Sequence, residues 1–320
     1  MKDTLRHLLS GVLFLALGLG LLLPVSRLFL PKDNSAEAGI HDPTPNGILG
    51  EPEDTIDVLI LGDSEALSGI SPLDIWENSG ITSHVCAGGN QKLFLTREYL
   101  DRAFAGQSPR LVILEANCLY SNMGRMELIT HWAQRTFPVV RYHDRWKSLG
   151  LRDWQGTVSY THTHMTKGYH YNTEVHPANA EDYMAPSDEA AAIHPRNRQW
   201  LEGIAEACGE RGAQLVLVSV PSSYNWNSPR HNGVEALARE LGLTYLDMNL
   251  MPREVPIDWN TDTRDYGNHL NYRGARKVSL FLAEYLTDSG LFRDKRQEAE
   301  YAAWEQAWQY FRENAVSVPG

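Results

Sequence analysis

The stretch "TIDVLILGDS", residues 55–64, decides the fold of this chain. A short apolar run that ends in glycine is typical of a strand buried on both faces, as in a parallel sheet. The turn that follows places Ser64 just past the strand. Gly, Asp and Ser form ordinary turns in many proteins, so Ser64 is either a plain turn residue or a nucleophile presented at the end of a strand.

Strand and helix patterns alternate along the rest of the chain. Further strand-like runs are "SHVC" (83–86), "RLVILEAN" (110–117), "AQLVLVSVP" (213–221) and "LTYLDMN" (243–249). Apolar residues at helical spacing occur at 91–104, 196–212, 233–242 and 272–290, the last with Asn271 as its N-cap. This alternation predicts an α/β fold with a mostly parallel sheet and helices on both faces.

The N-terminus carries a candidate membrane anchor. Leu8 to Val25 are 18 almost uninterrupted apolar residues, preceded by Lys2 and Arg6. As a helix this run would be about 27 Å long, close to the thickness of a hydrocarbon core. A cleaved signal peptide usually has a shorter apolar region, and the A-x-A motif at 36–38 lies far beyond the run. We therefore expect an uncleaved cell-membrane anchor with a cytoplasmic N-terminus and an extracytoplasmic main domain.

Changes in composition predict four regions. Residues 1–30 form the anchor, and residues 31–54, rich in Pro, Gly and Asp, form a linker. Residues 55–290 form the α/β domain. It is interrupted at 121–195 by an insertion rich in His, Tyr and Trp, which we expect to act as a lid or substrate wall. Residues 291–320 form a C-terminal helix and tail.

Charge and cysteine content exclude several classes of function. The net charge is −11, and an acidic surface repels nucleic acid, so no nucleic-acid partner is expected. Cys86, Cys118 and Cys208 are too few and too scattered for a disulfide framework or a zinc site. The four histidines between 162 and 176 match no common zinc spacing, so no metal site is predicted.

Polar stretches follow several of the predicted strands. The carboxyl ends of parallel strands meet at one edge of a sheet, so we expect Ser64, "CAGGNQ" (86–91), "EANCLY" (115–120) and the loop 262–275 to converge. A serine hydroxyl becomes a good nucleophile when a neighbouring base takes its proton. His269 in that loop is the natural base, because imidazole titrates near neutral pH.

An acyl-transfer site needs two further components. A carboxylate must orient the histidine, and Asp265 is the candidate, with Asp262 as the alternative. Hydrogen-bond donors must stabilise the oxyanion, and the candidates are the N–H groups of Ser64 and Gly89 and the side-chain amide of Asn117. A glycine at position 89 would allow a substrate to approach the backbone closely.

Two loop aromatics are candidates for a substrate wall. Tyr224 and Trp226 follow the fourth predicted strand, at the edge of the sheet where the site is expected. Packing against neighbouring loop residues is the competing interpretation for both side chains.

These stretches together resemble the SGNH (GDSL-like) hydrolases. Gly62-Asp63-Ser64 resembles the first block of the family, "AGGNQ" (87–91) the second, "LEAN" (114–117) the third and "DYGNHLN" (265–271) the last. The resemblance implies a flavodoxin-like three-layer α/β/α fold. It also implies catalytic roles for the serine and histidine and an oxyanion role for either glycine of the second block.

This chain departs from the family pattern at the acid. The family usually places its aspartate three residues before the histidine, where this chain has Tyr266. Asp265 can orient His269 if the loop bulges by one residue, and Asp262 is the other candidate. A catalytic dyad, with a backbone carbonyl orienting the histidine, is a third arrangement.

The resemblance further implies a membrane-anchored serine esterase that needs no cofactor. The anchor and "HLNYRGA" (269–275) resemble an extracytoplasmic branch that includes DltD and alginate acetylation proteins. This implies a bacterial cell-envelope location and an acylated glycan or other ester as the substrate. One alternative is an O-acyltransferase that works with a membrane acyl-donor protein. The other is an inactive protein of the same fold that binds glycan or a partner.

Overall fold

The computed structural model describes residues 2–316, which divide into two compact units. Unit 1 contains the described residues up to 43 and residues 123–162, and unit 2 contains residues 44–122 and the described residues from 163 onward. The outermost residues of the predicted anchor and tail, 1 and 317–320, lie outside the described part of the chain.

Unit 2 contains a five-stranded parallel sheet. Its strands are β1 (Val58–Gly62), β2 (Ser83–Ala87), β3 (Leu111–Glu115), β4 (Gln214–Ser219) and β5 (Thr244–Asp247), in the order β2-β1-β3-β4-β5. This is the flavodoxin-like order, which reverses direction between β1 and β3. The predicted α/β fold class is therefore confirmed, and the crevice at the carboxyl ends of β1 and β3 is where such folds bind ligands.

Helices cover both faces of this sheet. The helices of unit 2 are α2 (Pro43–Asn46, at its boundary), α3 (Ser64–Gly69), α4 (Pro72–Ser79), α5 (Leu93–Ala103), α9 (Pro195–Glu210), α10 (Ser228–Leu241), α11 (Tyr272–Asp288) and α12 (Ala302–Phe311). Val58 and Ile60 of β1 share a buried cluster with Val278 and Leu282 of α11. The intervening residues of β1 point to the opposite face and are also fully buried. The apolar run therefore forms a strand because helices cover both of its faces.

The predicted linker and insertion contribute to unit 2. Ile48 is buried, and the Glu51 carboxylate lies 2.8 Å from the Lys167 ammonium in a buried ion pair. Residues 44–54 are therefore packed rather than extended. Residues 163–194 of the predicted insertion also belong to unit 2, and Lys167 O accepts a 2.9 Å hydrogen bond from Val85 N–H. This contact covers the outer edge of β2, where strands otherwise leave backbone groups unpaired.

Unit 1 combines the N-terminal helix with the first part of the insertion. Its helices are α1 (Lys2–Arg27), α6 (Arg125–Thr136), α7 (Pro138–Arg141) and α8 (Leu151–Gln155). Thr4–Arg27 of α1 is long and apolar enough to cross a membrane. Its most apolar 18 residues have a mean hydropathy of 2.4, and none of them is buried within the protein. Helices of this kind are either anchors or signal sequences.

We predict that Gly168 holds the segment over β2 in place. Its φ is +88°, and an added Cβ would lie 2.0 Å from Val85 O. Gly168→Ala should therefore destabilise unit 2 by more than the roughly 1–2 kcal/mol that left-handed backbone costs an alanine. Chemical denaturation of the purified chain measures this.

Gly212→Ala is the matched control for this prediction. Gly212 has a φ of +71°, and no atom lies within 4 Å of its added Cβ, so only the backbone cost should appear. Equal losses at the two glycines would show that Gly168 is not sterically required.

Candidate active site

Ser64 begins α3 immediately after β1. The Asp63 carboxylate caps this helix by accepting a 3.0 Å hydrogen bond from Glu65 N–H. Gly62 just before it has a φ of +151°, and an added Cβ would lie 2.7 Å from the Glu115 Cβ. A glycine is therefore needed for β1 to pass this close to the end of β3. The tight passage leaves Ser64 half-buried in the crevice above the two strands.

The Asp265 carboxylate contacts both the backbone and the ring of His269. His269 Nδ1 lies 2.6 Å from Asp265 Oδ2, and His269 N–H donates to Asp265 Oδ1 at 2.6 Å. This arrangement assigns the proton to Nδ1 and leaves Nε2 free to accept one. His269 Nε2 is buried and makes no hydrogen bond with the described residues, and His269 lines the same cleft as Ser64.

A local turn explains the unusual spacing of Asp265 and His269. Tyr266 and Gly267 both have positive φ, +59° and +87°. The Thr263 hydroxyl accepts from Gly267 N–H at 2.8 Å and donates to His269 O at 3.0 Å. The loop therefore folds back on itself and absorbs the extra residue. This turn is the one-residue bulge that was expected if Asp265 is to reach His269.

The Asp262 carboxylate contacts other groups than His269. Its carboxylate lies 2.6 Å from Lys277 Nζ and accepts from Asp258 N–H at 2.8 Å. It is buried in this environment. The alternative in which Asp262 orients the histidine is therefore not the arrangement in the structure.

Asn117 is fixed beside Ser64 by two side chains. Its Nδ2 donates to Asp63 Oδ2 at 2.9 Å, and its Oδ1 accepts from Arg230 Nη1 at 3.1 Å. These two contacts determine which way the amide is turned and leave one N–H of Nδ2 unassigned. Arg230 also donates to Asn225 O and stacks on the Tyr120 ring, 4.9 Å from its centroid. Sequence reasoning missed Arg230, although its place in the first turn of the helix after β4 could have suggested it.

Gly89 is not among the residues that line the cleft of Ser64 and His269. It is exposed, and no atom lies within 4 Å of the position of an added Cβ. The neighbouring Asn90, with a φ of +51°, lines the cleft. Gly88 is half-buried and lies close to Gln91 Oε1.

The cleft itself is strongly hydrophilic. It has a volume of about 440 Å³ and is lined by Asp63, Ser64, Asn90, Lys92, Asn117, Tyr120, Ser121, Asn122, Asn225, Arg230, Asn268 and His269. Neither predicted wall aromatic is among these residues. Trp226 is 3% exposed and donates from Nε1 to Asp247 Oδ2 at 2.9 Å, so its assignment to a substrate wall was wrong. The indole lies in the interior because the buried carboxylate of Asp247 accepts its N–H hydrogen bond. Tyr224 is 75% exposed and stands outside the cleft lining.

Three carboxyl groups are buried beneath the serine. Burial, reinforced by the Asp63 charge, raises the pKa of Glu65 well above its usual range. Burial and the charges of Asp63 and Glu65 do the same for the pKa of Glu115. Burial also raises the pKa of Asp63, opposed by hydrogen bonds from Glu65 N–H and Asn117 and by the nearby His269. The crowding favours neutral forms of the two glutamic acids.

No metal centre is apparent in residues 2–316: no group of three or more His, Cys, Asp or Glu side chains is close enough to hold an ion. The three cysteines are free and buried.

Comparisons with known proteins give structural neighbours only. No family model and no curated protein matches the chain. Among solved structures it is similar to a lipase/acylhydrolase from Enterococcus faecalis, with 10% identity over 73% of this chain and 96% of that chain and a TM-score of 0.39.

Two other solved structures are similar at the same level. One is a psychrotrophic esterase from Pseudoalteromonas sp., with 12% identity over 74% of this chain and 98% of that chain and a TM-score of 0.38. The other is a GDSL-like lipase from Bacteroides thetaiotaomicron VPI-5482, with 13% identity over 72% and 88% and a TM-score of 0.35. These scores are too low to indicate a common fold by themselves, so the fold assignment rests on the strand order given above.

We predict that Glu65 makes stability depend on pH. A carboxyl group whose pKa is higher in the folded than in the unfolded protein stabilises the fold at pH values below the unfolded pKa. This contribution to stability is lost as the pH rises from the unfolded pKa through the folded pKa. Relative to the parent, Glu65→Gln should therefore gain stability as the pH rises above about 4.3, by up to about 1.4 kcal/mol per pH unit. Urea unfolding at several pH values measures the difference.

Glu210→Gln, at an exposed position on α9, is the matched control and should show no such trend. If the difference between Glu65→Gln and the parent does not change with pH, Glu65 is not held neutral in the folded protein.

Proposed function

We propose that this chain is a serine esterase of the SGNH type that hydrolyses acyl esters. The observation that carries the proposal is the 2.6 Å contact between Asp265 and His269, because His269 lines the cleft that also contains Ser64. A carboxylate at Nδ1 holds the imidazole in the tautomer whose Nε2 accepts a proton. His269 Nε2 has no hydrogen-bond partner among the described residues and lines the cleft of Ser64, which favours the active over the inactive alternative.

Each residue of the group has a defined role in the reaction. Ser64 Oγ attacks the ester carbonyl while His269 Nε2 takes its proton, and Asp265 stabilises the resulting imidazolium. The histidine then gives the proton to the departing alcohol. In the second half, His269 activates a water molecule, which attacks the acyl-serine and releases the carboxylic acid.

The oxyanion is stabilised by donors from three loops. The free N–H of Asn117 Nδ2 is held in place by Asp63 and Arg230. The Ser64 N–H lies at the start of a helix, where backbone donors have no partner within the helix. The third proposed donor is the N–H of Gly89, the residue before Asn90, which lines the cleft. Preorganised donors of this kind contribute roughly 3–4 kcal/mol each to lowering the barrier.

The polarity of the cleft indicates a hydrophilic substrate. Five asparagines, two serines and two cations form most of its lining, whereas a lipid acyl chain would require an apolar one. Esters of carbohydrates fit this lining, and cell-envelope glycans are therefore the proposed substrates. The chain acts from the outer side of a plasma membrane, held there by α1 as an uncleaved anchor. Hydrolysis is favoured over acyl transfer because transfer requires water to be excluded, and Ser64 is half-exposed in a polar cleft.

The proposal is tested with purified full-length chain in detergent. We expect hydrolysis of p-nitrophenyl acetate and of a fully acetylated hexose, measured by absorbance and by acetate release. Ser64→Ala and His269→Gln should abolish it, and Asp265→Asn should lower kcat by roughly 10²–10⁴-fold because the wrong tautomer is then favoured.

His231→Gln is the matched control, because His231 Nδ1 also lies 2.8 Å from a carboxylate oxygen, that of Asp247, away from Ser64. It should retain full activity. Activity that survives Ser64→Ala, or a loss in His231→Gln equal to that in His269→Gln, would contradict the proposal. Acyl transfer to an added sugar at the expense of acetate release would favour the acyltransferase.

A further inference from the structure

Unit 1 exposes a dense group of large apolar side chains outside α1. We call it the collar: Met126, Ile129, Trp132, Trp146, Leu151 and Trp154. Each of the six is more than half exposed, from 55% for Ile129 to 79% for Leu151. Three tryptophans within 23 residues of one another are unusual on a surface that faces only water, and exposed apolar groups of this density mark contact sites.

The collar is directly connected to the end of the apolar helix. Ser26 Oγ, near the C-terminus of α1, accepts a 2.9 Å hydrogen bond from Val139 N–H. The Arg145 guanidinium donates to Phe29 O at 2.7 Å and pairs with Asp153 at 2.7 Å. These contacts tie the segments that carry the collar to the residues where the chain leaves α1.

The charge of this segment is opposite to that of the chain. Residues 123–162 contain six Arg and Lys against three Asp and Glu, which gives +3, whereas the whole chain carries −11. A basic segment with tryptophans is the composition of helices that lie in the headgroup region of an anionic bilayer.

We propose that the collar lies in the interfacial region of the bilayer that α1 crosses, with its tryptophans at headgroup depth. This rests on the proposed anchoring of the chain by α1. Lipid is the occupant that these observations favour, because the segments that carry the collar are hydrogen-bonded to the end of the membrane-crossing helix. The amphipathic indole rings and basic side chains also match an anionic interface better than a protein core. Bilayer contact at the collar would hold unit 1 at the membrane surface.

The test uses full-length chain in vesicles of zwitterionic and anionic lipid. Trp132→Cys, Leu151→Cys and Trp154→Cys are each labelled with the environment-sensitive dye NBD, since the three native cysteines are buried. We expect emission at shorter wavelength and quenching by lipids that carry a nitroxide near the headgroup. The quenching should be stronger in anionic vesicles. Glu210→Cys, at an exposed position of α9 in unit 2, is the control and should show neither effect.

Three outcomes would overturn the inference. Labels that behave like the Glu210 label would show that the collar is in water. Shifted emission without lipid quenching would show that a protein surface covers it. Extraction of the chain from the vesicles by alkaline carbonate would contradict the anchoring by α1, on which the inference rests. If the chain stays in the vesicles while the collar labels are in water, only the collar inference is overturned, and the anchor and the esterase proposal stand.

Discussion

The close passage of β1 beside the end of β3 is the constraint on which the candidate site depends. Gly62 allows it, because any side chain there would overlap Glu115. The passage brings the turn after β1 next to the turn after β3, so that the carboxylate of Asp63 reaches the amide of Asn117. The reversal of strand order between β1 and β3 opens the crevice above them. Ser64 and Asn117 are neighbours for this reason, although 53 positions separate them in the sequence.

Bringing these turns together also concentrates acidic groups. Asp63, Glu65 and Glu115 are all buried in one small volume. The protein accommodates them with raised pKa values and with hydrogen bonds from neutral groups, including one from Asn225 Nδ2 to Glu65 at 2.6 Å. Asn225 also bonds to Asn268, the residue before His269. The buried carboxyl groups are thus part of the framework that positions the loop of the histidine.

Local pattern was sufficient to predict the sheet, because its three central strands, β1, β3 and β4, are apolar runs that are almost entirely buried. It was also sufficient to predict which turns converge, because parallel strands share one carboxyl edge. The contact between Asp265 and His269 could not be decided from spacing. It depends on two left-handed residues, Tyr266 and Gly267, and the Thr263 hydroxyl stabilises this turn by accepting a hydrogen bond from Gly267 N–H.

The remaining differences arise from tertiary partners that are distant in sequence. Trp226 reads as a loop aromatic, yet Asp247 provides the buried acceptor that draws it inside. Arg230 reads as a surface helix residue, yet it fixes the Asn117 amide. The polar composition of residues 44–54 predicts a linker. Their packing depends on the buried ion pair between Glu51 and Lys167, which are distant in sequence.

The central claim is that the loop of His269 activates Ser64, and covalent labelling tests it most directly. Full-length protein is treated with a fluorophosphonate, which reacts with activated serines, and the adduct is read by intact mass beside Ser64→Ala. The account predicts one adduct on the parent protein and none on Ser64→Ala. A folded parent that takes up no adduct between pH 6 and pH 9, or an adduct that persists in Ser64→Ala, would contradict it.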